Sequence, residues 1–85
     1  MREFTFSITD PIGIHARPAG ILVKEANKYR STIEIEFNEK KSDAKRIFSV
    51  MGMNAKCGDN LKFIINGIDE DEAAEELQKF LKNNL

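Results

Sequence analysis

A single histidine, His15, lies in the run Gly13-Ile14-His15-Ala16-Arg17-Pro18, between Asp10-Pro11-Ile12-Gly13, which breaks a strand, and the start of an amphipathic helix. The first amides of a helix have no acceptors within it, and the dipole makes that end positive. Such an end attracts anions. Gly13 permits an unusual backbone conformation on the way in. Pro18 costs little in a first turn, where its missing N–H would have had no partner. Arg17 adds a planar, permanently charged donor matched to phosphate oxygens. Gly13, Ala16 and Pro18 thus read as the frame of a phosphate-binding helix N-terminus, and Arg17 as its stabilising charge. A histidine here can help to hold a phosphate, or it can be the nucleophile that receives a phosphoryl group. Attack requires a neutral imidazole, and an ordinary pKa of about 6.5 beside a positive helix end favours that form. A lone histidine is more often structural or merely exposed; Gly13, Arg17 and Pro18 around it point to the phosphoacceptor.

The chain has no Gly-rich nucleotide loop and no metal-ligand cluster. No cofactor and no metal are expected, and a phosphohistidine would have to be loaded and unloaded by other proteins. The one cysteine, Cys57, excludes an internal disulfide and is read as an ordinary turn residue in a reducing compartment.

The elements that position the motif follow from periodicity. Phe4, Phe6 and Ile8 alternate with Glu3, Thr5, Ser7 and Thr9, which predicts a half-buried strand. Ala19, Leu22, Val23 and Ala26 lie at helical spacing, predicting a helix over about Ala16 to Tyr29. Ile33, Ile35 and Phe37 alternate with Glu34 and Glu36, and Asn38-Glu39 reads as a hairpin turn into a strand over Lys40 to Ala44. Arg46 to Met51 is expected to form one or two helical turns ending at Gly52. Cys57 to Asn60 reads as a turn. Leu61, Phe63 and Ile65 predict a fourth strand that stops at Asn66-Gly67. Asp69 with Glu72 suggests a capping box for the last helix, Ile68 with Ala73 a hydrophobic staple, and Glu75 with Lys79 an i,i+4 pair. The order β-α-β-β-α-β-α, with one polar face per strand, predicts an α+β fold: an antiparallel sheet with its helices on one face.

Gly13-Ile14-His15-Ala16-Arg17-Pro18-Ala19 resembles the active-site motif of the HPr family, the histidine phosphocarriers of the bacterial sugar phosphotransferase system. The resemblance extends over essentially the whole chain, residues 1–85, as one HPr-like domain. It implies an open-faced β-sandwich of four antiparallel strands and three helices. It implies that phosphorylated enzyme I loads His15 at Nδ1, that Arg17 stabilises the group, and that enzyme IIA domains of sugar permeases receive it. On this reading the chain is a carrier rather than an independent catalyst.

Two positions depart from the family pattern. Gram-positive members carry a regulatory serine at the start of the second helix, where this chain has Arg46. Arginine has no hydroxyl to phosphorylate, and its charge is opposite to that of phosphoserine. The position before Gly13 is often Ser or Asn in the family, and here it is Ile12, which removes one polar group near the phosphate.

Ile47, Phe48 and Met51 cannot all be buried by so short a helix, so with Gly20 and Ile21 they are expected to form a docking patch. Lys24, Lys28, Lys45 and Arg46 read by default as solvated; Lys24 and Arg46 beside the patch would favour acidic partners. Thirteen basic residues against fourteen acidic ones give a formal net charge of -1, and 85 residues suit one domain. That balance argues against a nucleic-acid binder. An RNA-binding module would also need exposed aromatics, whereas Phe4, Phe6, Phe37 and Phe63 fall on the face the helices should cover. The opening residues lack a long apolar run and no stretch reaches the roughly 18 residues of a membrane span, so a cytoplasmic monomer without a signal peptide or membrane insertion is expected. The closest rivals keep the histidine and change the task, to a nitrogen-branch or regulatory phosphocarrier; a non-catalytic interaction module is the rival of another class.

Overall fold

The computed structural model describes residues 1–14 and 16–84. Alternation builds the sheet. Strands β1 (Arg2–Ser7), β2 (Thr32–Phe37), β3 (Lys40–Asp43) and β4 (Asn60–Asn66) are all antiparallel in the spatial order β1-β4-β2-β3. The register places Phe63 of β4 between Phe4 of β1 and Ile35 of β2, and the rings of Phe4 and Phe63 stack with centroids 5.0 Å apart. Asn38 and Glu39 both take positive φ, 53° and 65°, the two-residue hairpin conformation that matches strand twist.

Helices α1 (Ala16–Ala26), α2 (Ile47–Met51) and α3 (Glu70–Asn84) cover one face of this sheet. Ala19, Leu22 and Ala26 of α1, Val50 of α2, and Ala73, Ala74, Leu77 and Leu81 of α3 close on Ile33, Ile35, Leu61, Phe63 and Ile65. Phe4, Phe6 and Phe37 pack at the margin of that core. The other face bears Glu3, Thr5, Glu34, Glu36 and Lys62, together with Ile64, which sits between Glu3 and Glu34 and is almost wholly covered.

Several local expectations are corrected. Helix α1 stops at Ala26, not Tyr29: Lys28 and Tyr29 donate their N–H groups three residues back, and the Asn27 side chain donates to the Val23 and Lys45 carbonyls. Those bonds tighten the last turn and swing Tyr29 onto the core. Lys45 is not simply solvated, because its Nζ donates to the Tyr29 carbonyl at 2.7 Å, and Lys28 pairs with Glu25 at 2.9 Å. Asp69 does precede α3, but its carboxylate turns away to accept the N–H groups of Arg30 and Ser31 and the Ser31 hydroxyl. Glu70, not Glu72, reaches back, to the Gly67 N–H at 3.1 Å. Ile68 is exposed and staples nothing. Glu75 pairs with Arg2 at 3.2 Å instead of with Lys79, while Asp71 takes the same guanidinium at 2.9 Å.

Candidate functional site

The segment that leads into α1 is built from two turns of chain held face to face. Beyond β1, the N–H of Ile8 donates to the Asp59 carbonyl and that of Gly58 to the Ile8 carbonyl, so residues 8–14 and 55–59 run together. Asp10-Pro11-Ile12-Gly13 then closes a four-residue turn. The Gly13 N–H donates to the Asp10 carbonyl at 3.0 Å, and the Ile12 N–H donates to Asp10 Oδ1 at 2.9 Å. Pro11 suits the second position because its φ is fixed in advance. The Ile14 N–H crosses to the Ala55 carbonyl at 2.9 Å.

Gly13 is required twice over. Its φ of +82° is one that other residues rarely adopt, and a Cβ there would stand 2.7 Å from both Ala55 O and Lys56 Cα. Its N–H is already given to Asp10, so its contribution is the path of the chain and not a donor. Ala16 and Arg17 are exposed in the first turn of α1, and Pro18 is buried under them. Amides in that turn have no acceptor within the helix. Arg17 lines a shallow hollow together with Asp10, Pro18, Ile21 and Asn84. His15 itself lies outside the described residues.

The expected patch divides. Phe48 is 85% exposed and Ile21 41%, whereas Ile47 and Met51 are half-buried and packed against the core. Gly20 lies against Ile47: a Cβ on it would meet Ile47 Cδ1 at 3.7 Å, ordinary contact. Lys24 and Arg46 are exposed, and Arg46 reaches Asp43 only at 3.7 Å. Cys57 is exposed, with its thiol 3.8 Å from the Thr9 carbonyl.

Sequence reasoning found the motif and missed its supports, Asp10, Ala55 and Lys56. The Asp-Pro pair was a turn signal for Asp10. Nothing marked Ala55 or Lys56, which act through their backbone.

Comparison with known proteins places the fold and the family. Residues 2–83 match the family model described as the PTS HPr component phosphorylation site. The chain is 42% identical over 79 residues to the phosphocarrier protein HPr of Mycoplasma capricolum, covering 93% of this chain and 89% of that one. The crystal structure of HPr-C-His from Thermoanaerobacter tengcongensis superposes with a TM-score of 0.93 at 36% identity, over 99% of this chain and 94% of that one. The HPr dimer from the same organism gives 0.77 at the same identity, over 98% and 95%. No helix among the described residues is long and apolar enough to cross a membrane. This chain belongs to the HPr family, the phosphocarrier component of the phosphotransferase system.

Proposed function

We propose that the chain carries a phosphoryl group on His15, accepting it from phosphorylated enzyme I and passing it to an enzyme IIA domain. The observation that carries this reading is the exposed Arg17 in the first turn of α1, two residues after the histidine of a motif whose family model is a phosphorylation site. Neutral imidazole attacks phosphorus through its Nδ1 lone pair. The N–P bond forms as the bond to the donor breaks, and that electron pair leaves with the donor. First-turn amides and the Arg17 guanidinium then hold the phosphoryl oxygens. A nucleophile on the acceptor reverses the step and restores the free ring.

Gly13 and Pro18 shape the backbone, Ala16 supplies an amide, and Phe48, Ile21, Gly20, Ile47 and Met51 form the face that meets enzyme I and enzyme IIA. Lys24 and Arg46 steer acidic surfaces toward it. On this reading the working form is a cytoplasmic monomer; light scattering checks the monomeric state.

Incubation with enzyme I and phosphoenolpyruvate tests the central step. One acid-labile phosphate per chain, absent in His15→Ala, is expected; no uptake, or uptake that survives His15→Ala, defeats it. A second reading keeps the histidine and changes the recipient to a nitrogen-branch or regulatory protein. It is favoured by Arg46 at the head of α2. Transfer to a panel of enzyme IIA domains separates the two.

A further inference from the structure

We infer that Asp10 is a positioning residue for phosphoryl transfer, holding through its own oxygens the turn that delivers the chain to α1. The inference rests on the carrier reading above. Within residues 10–14 the side chains are Asp, Pro, Ile, Gly and Ile, so Asp10 alone can hydrogen-bond the backbone. It does so with Oδ1 to the Ile12 N–H at 2.9 Å, while its carbonyl takes the Gly13 N–H at 3.0 Å. Ile12 contributes no such support, being apolar and 71% exposed.

Two further contacts among the described residues fix residues 13 and 14 of the turn. One is the Ile14 N–H to the Ala55 carbonyl, and the other is the contact of Gly13 with the backbone of Ala55 and Lys56. Both lie at its far end. Without the Asp10 side chain the Ile12 amide is released to solvent, and the entry to α1 gains conformations in which the reacting ring and Arg17 are out of register. A displacement of about 1 Å at a reacting centre can cost on the order of a hundredfold in rate. A single released turn bond is expected to cost less, about tenfold. The loss falls on kcat, because the exposed face on α1 and α2 that meets the partners is untouched.

Asp10 also lines the hollow that Arg17 lines, so its side chain carries a charge near that hollow as well as an acceptor for the turn. The conservative variant Asp10→Asn keeps an acceptor oxygen at the same place and removes this charge, so it separates the two effects.

The test compares Asp10→Ala, Asp10→Asn and the unsubstituted protein as substrates of enzyme I and phosphoenolpyruvate, with amide hydrogen exchange read at Ile12. Asp10→Ala is expected to lower kcat about tenfold, leave KM for enzyme I within about twofold, and speed exchange at Ile12. Asp10→Asn is expected to restore kcat to within about twofold. Unchanged kcat in Asp10→Ala, or a loss that Asp10→Asn does not restore, overturns the inference and leaves the carrier reading standing. Failure of the unsubstituted protein to take up phosphate defeats that reading and this inference with it.

Discussion

The carboxylate of Asp69 accepts the Ser31 hydroxyl at 2.5 Å and the Ser31 N–H at 2.9 Å, joining the start of α3 to the loop between α1 and β2. Arg30 adds its N–H to the same carboxylate at 2.9 Å. These donors, the Ser31 hydroxyl first, favour the charged form and hold the carboxyl at about 2, down from its ordinary 3.8. A carboxyl whose pKa falls on folding stabilises the folded chain above its unfolded value, and that contribution is lost as pH falls through the folded value. The stabilising effect of Asp69 is therefore full above about pH 4 and fades toward about pH 2. Asp69→Asn is expected to be less stable than the unsubstituted protein above pH 4, with the difference shrinking across that window. Urea unfolding from pH 2 to 6 measures it, and parallel acid profiles would contradict it.

Gly13 and Gly58 make a matched pair. Both have positive φ, +82° and +92°, but a Cβ on Gly13 meets backbone at 2.7 Å and one on Gly58 meets nothing within 4 Å. Conformation alone costs about 1 kcal/mol or somewhat more. Gly58→Ala should lose about that much. Gly13→Ala should lose about 3 kcal/mol or more, since the obstructing atoms are backbone and cannot swing aside. Denaturant unfolding of the two variants decides whether close approach matters beyond φ; equal losses would show that it does not.

The contrast also explains what was legible in the sequence. Phe4, Phe6, Ile33, Ile35, Leu61 and Phe63 repeat with period two, and burying one face leaves a strand little choice, so the sheet and its covered side follow directly. The order of elements followed for the same reason. Helix ends did not. Asn27 closes α1 by bonding a carbonyl 18 residues away, and Asp69 abandons its own helix for Ser31, 38 residues away. Both side chains had local partners that a sequence would nominate, and distant ones that it could not. The site behaves likewise. Gly13, Arg17 and Pro18 are neighbours of His15 in the chain, whereas Ala55 and Lys56 join them only when β4 is laid against β1. Ile64 shows the limit of alternation, being covered on the face expected to be polar.

Arg46 occupies the N-cap of α2 with φ −122° and ψ 119°, yet its side chain caps nothing. Its ion pair with Asp43, at 3.7 Å and largely exposed, is of the kind worth little. A serine in that backbone conformation can accept a first-turn N–H. Arg46→Ser is therefore expected to raise stability by about 0.5–1 kcal/mol, read as a higher urea midpoint. The unsubstituted protein, having no hydroxyl there, should gain no phosphate on α2 when incubated with HPr kinase and ATP. Intact-mass measurement and peptide mapping check this; phosphate mapped to residues 46–51 would contradict it.

Phe48 stands 85% exposed on α2 while its neighbour Val50 is fully buried. An exposed phenyl ring contributes little to its own fold, and removing it should change stability by no more than about 0.5 kcal/mol. If this ring enters a pocket on enzyme I or enzyme IIA, its removal should cost about 1.5–3 kcal/mol of binding, or roughly 10- to 150-fold in affinity. Val50→Ala is the opposite case. It removes buried methyl groups from beneath the same helix and should cost about 1–3 kcal/mol of stability. Titration calorimetry with enzyme I and urea unfolding on both variants keep the two effects apart. Phe48→Ala that binds as tightly as the unsubstituted chain would remove α2 from the docking face and leave the phosphate site unaffected.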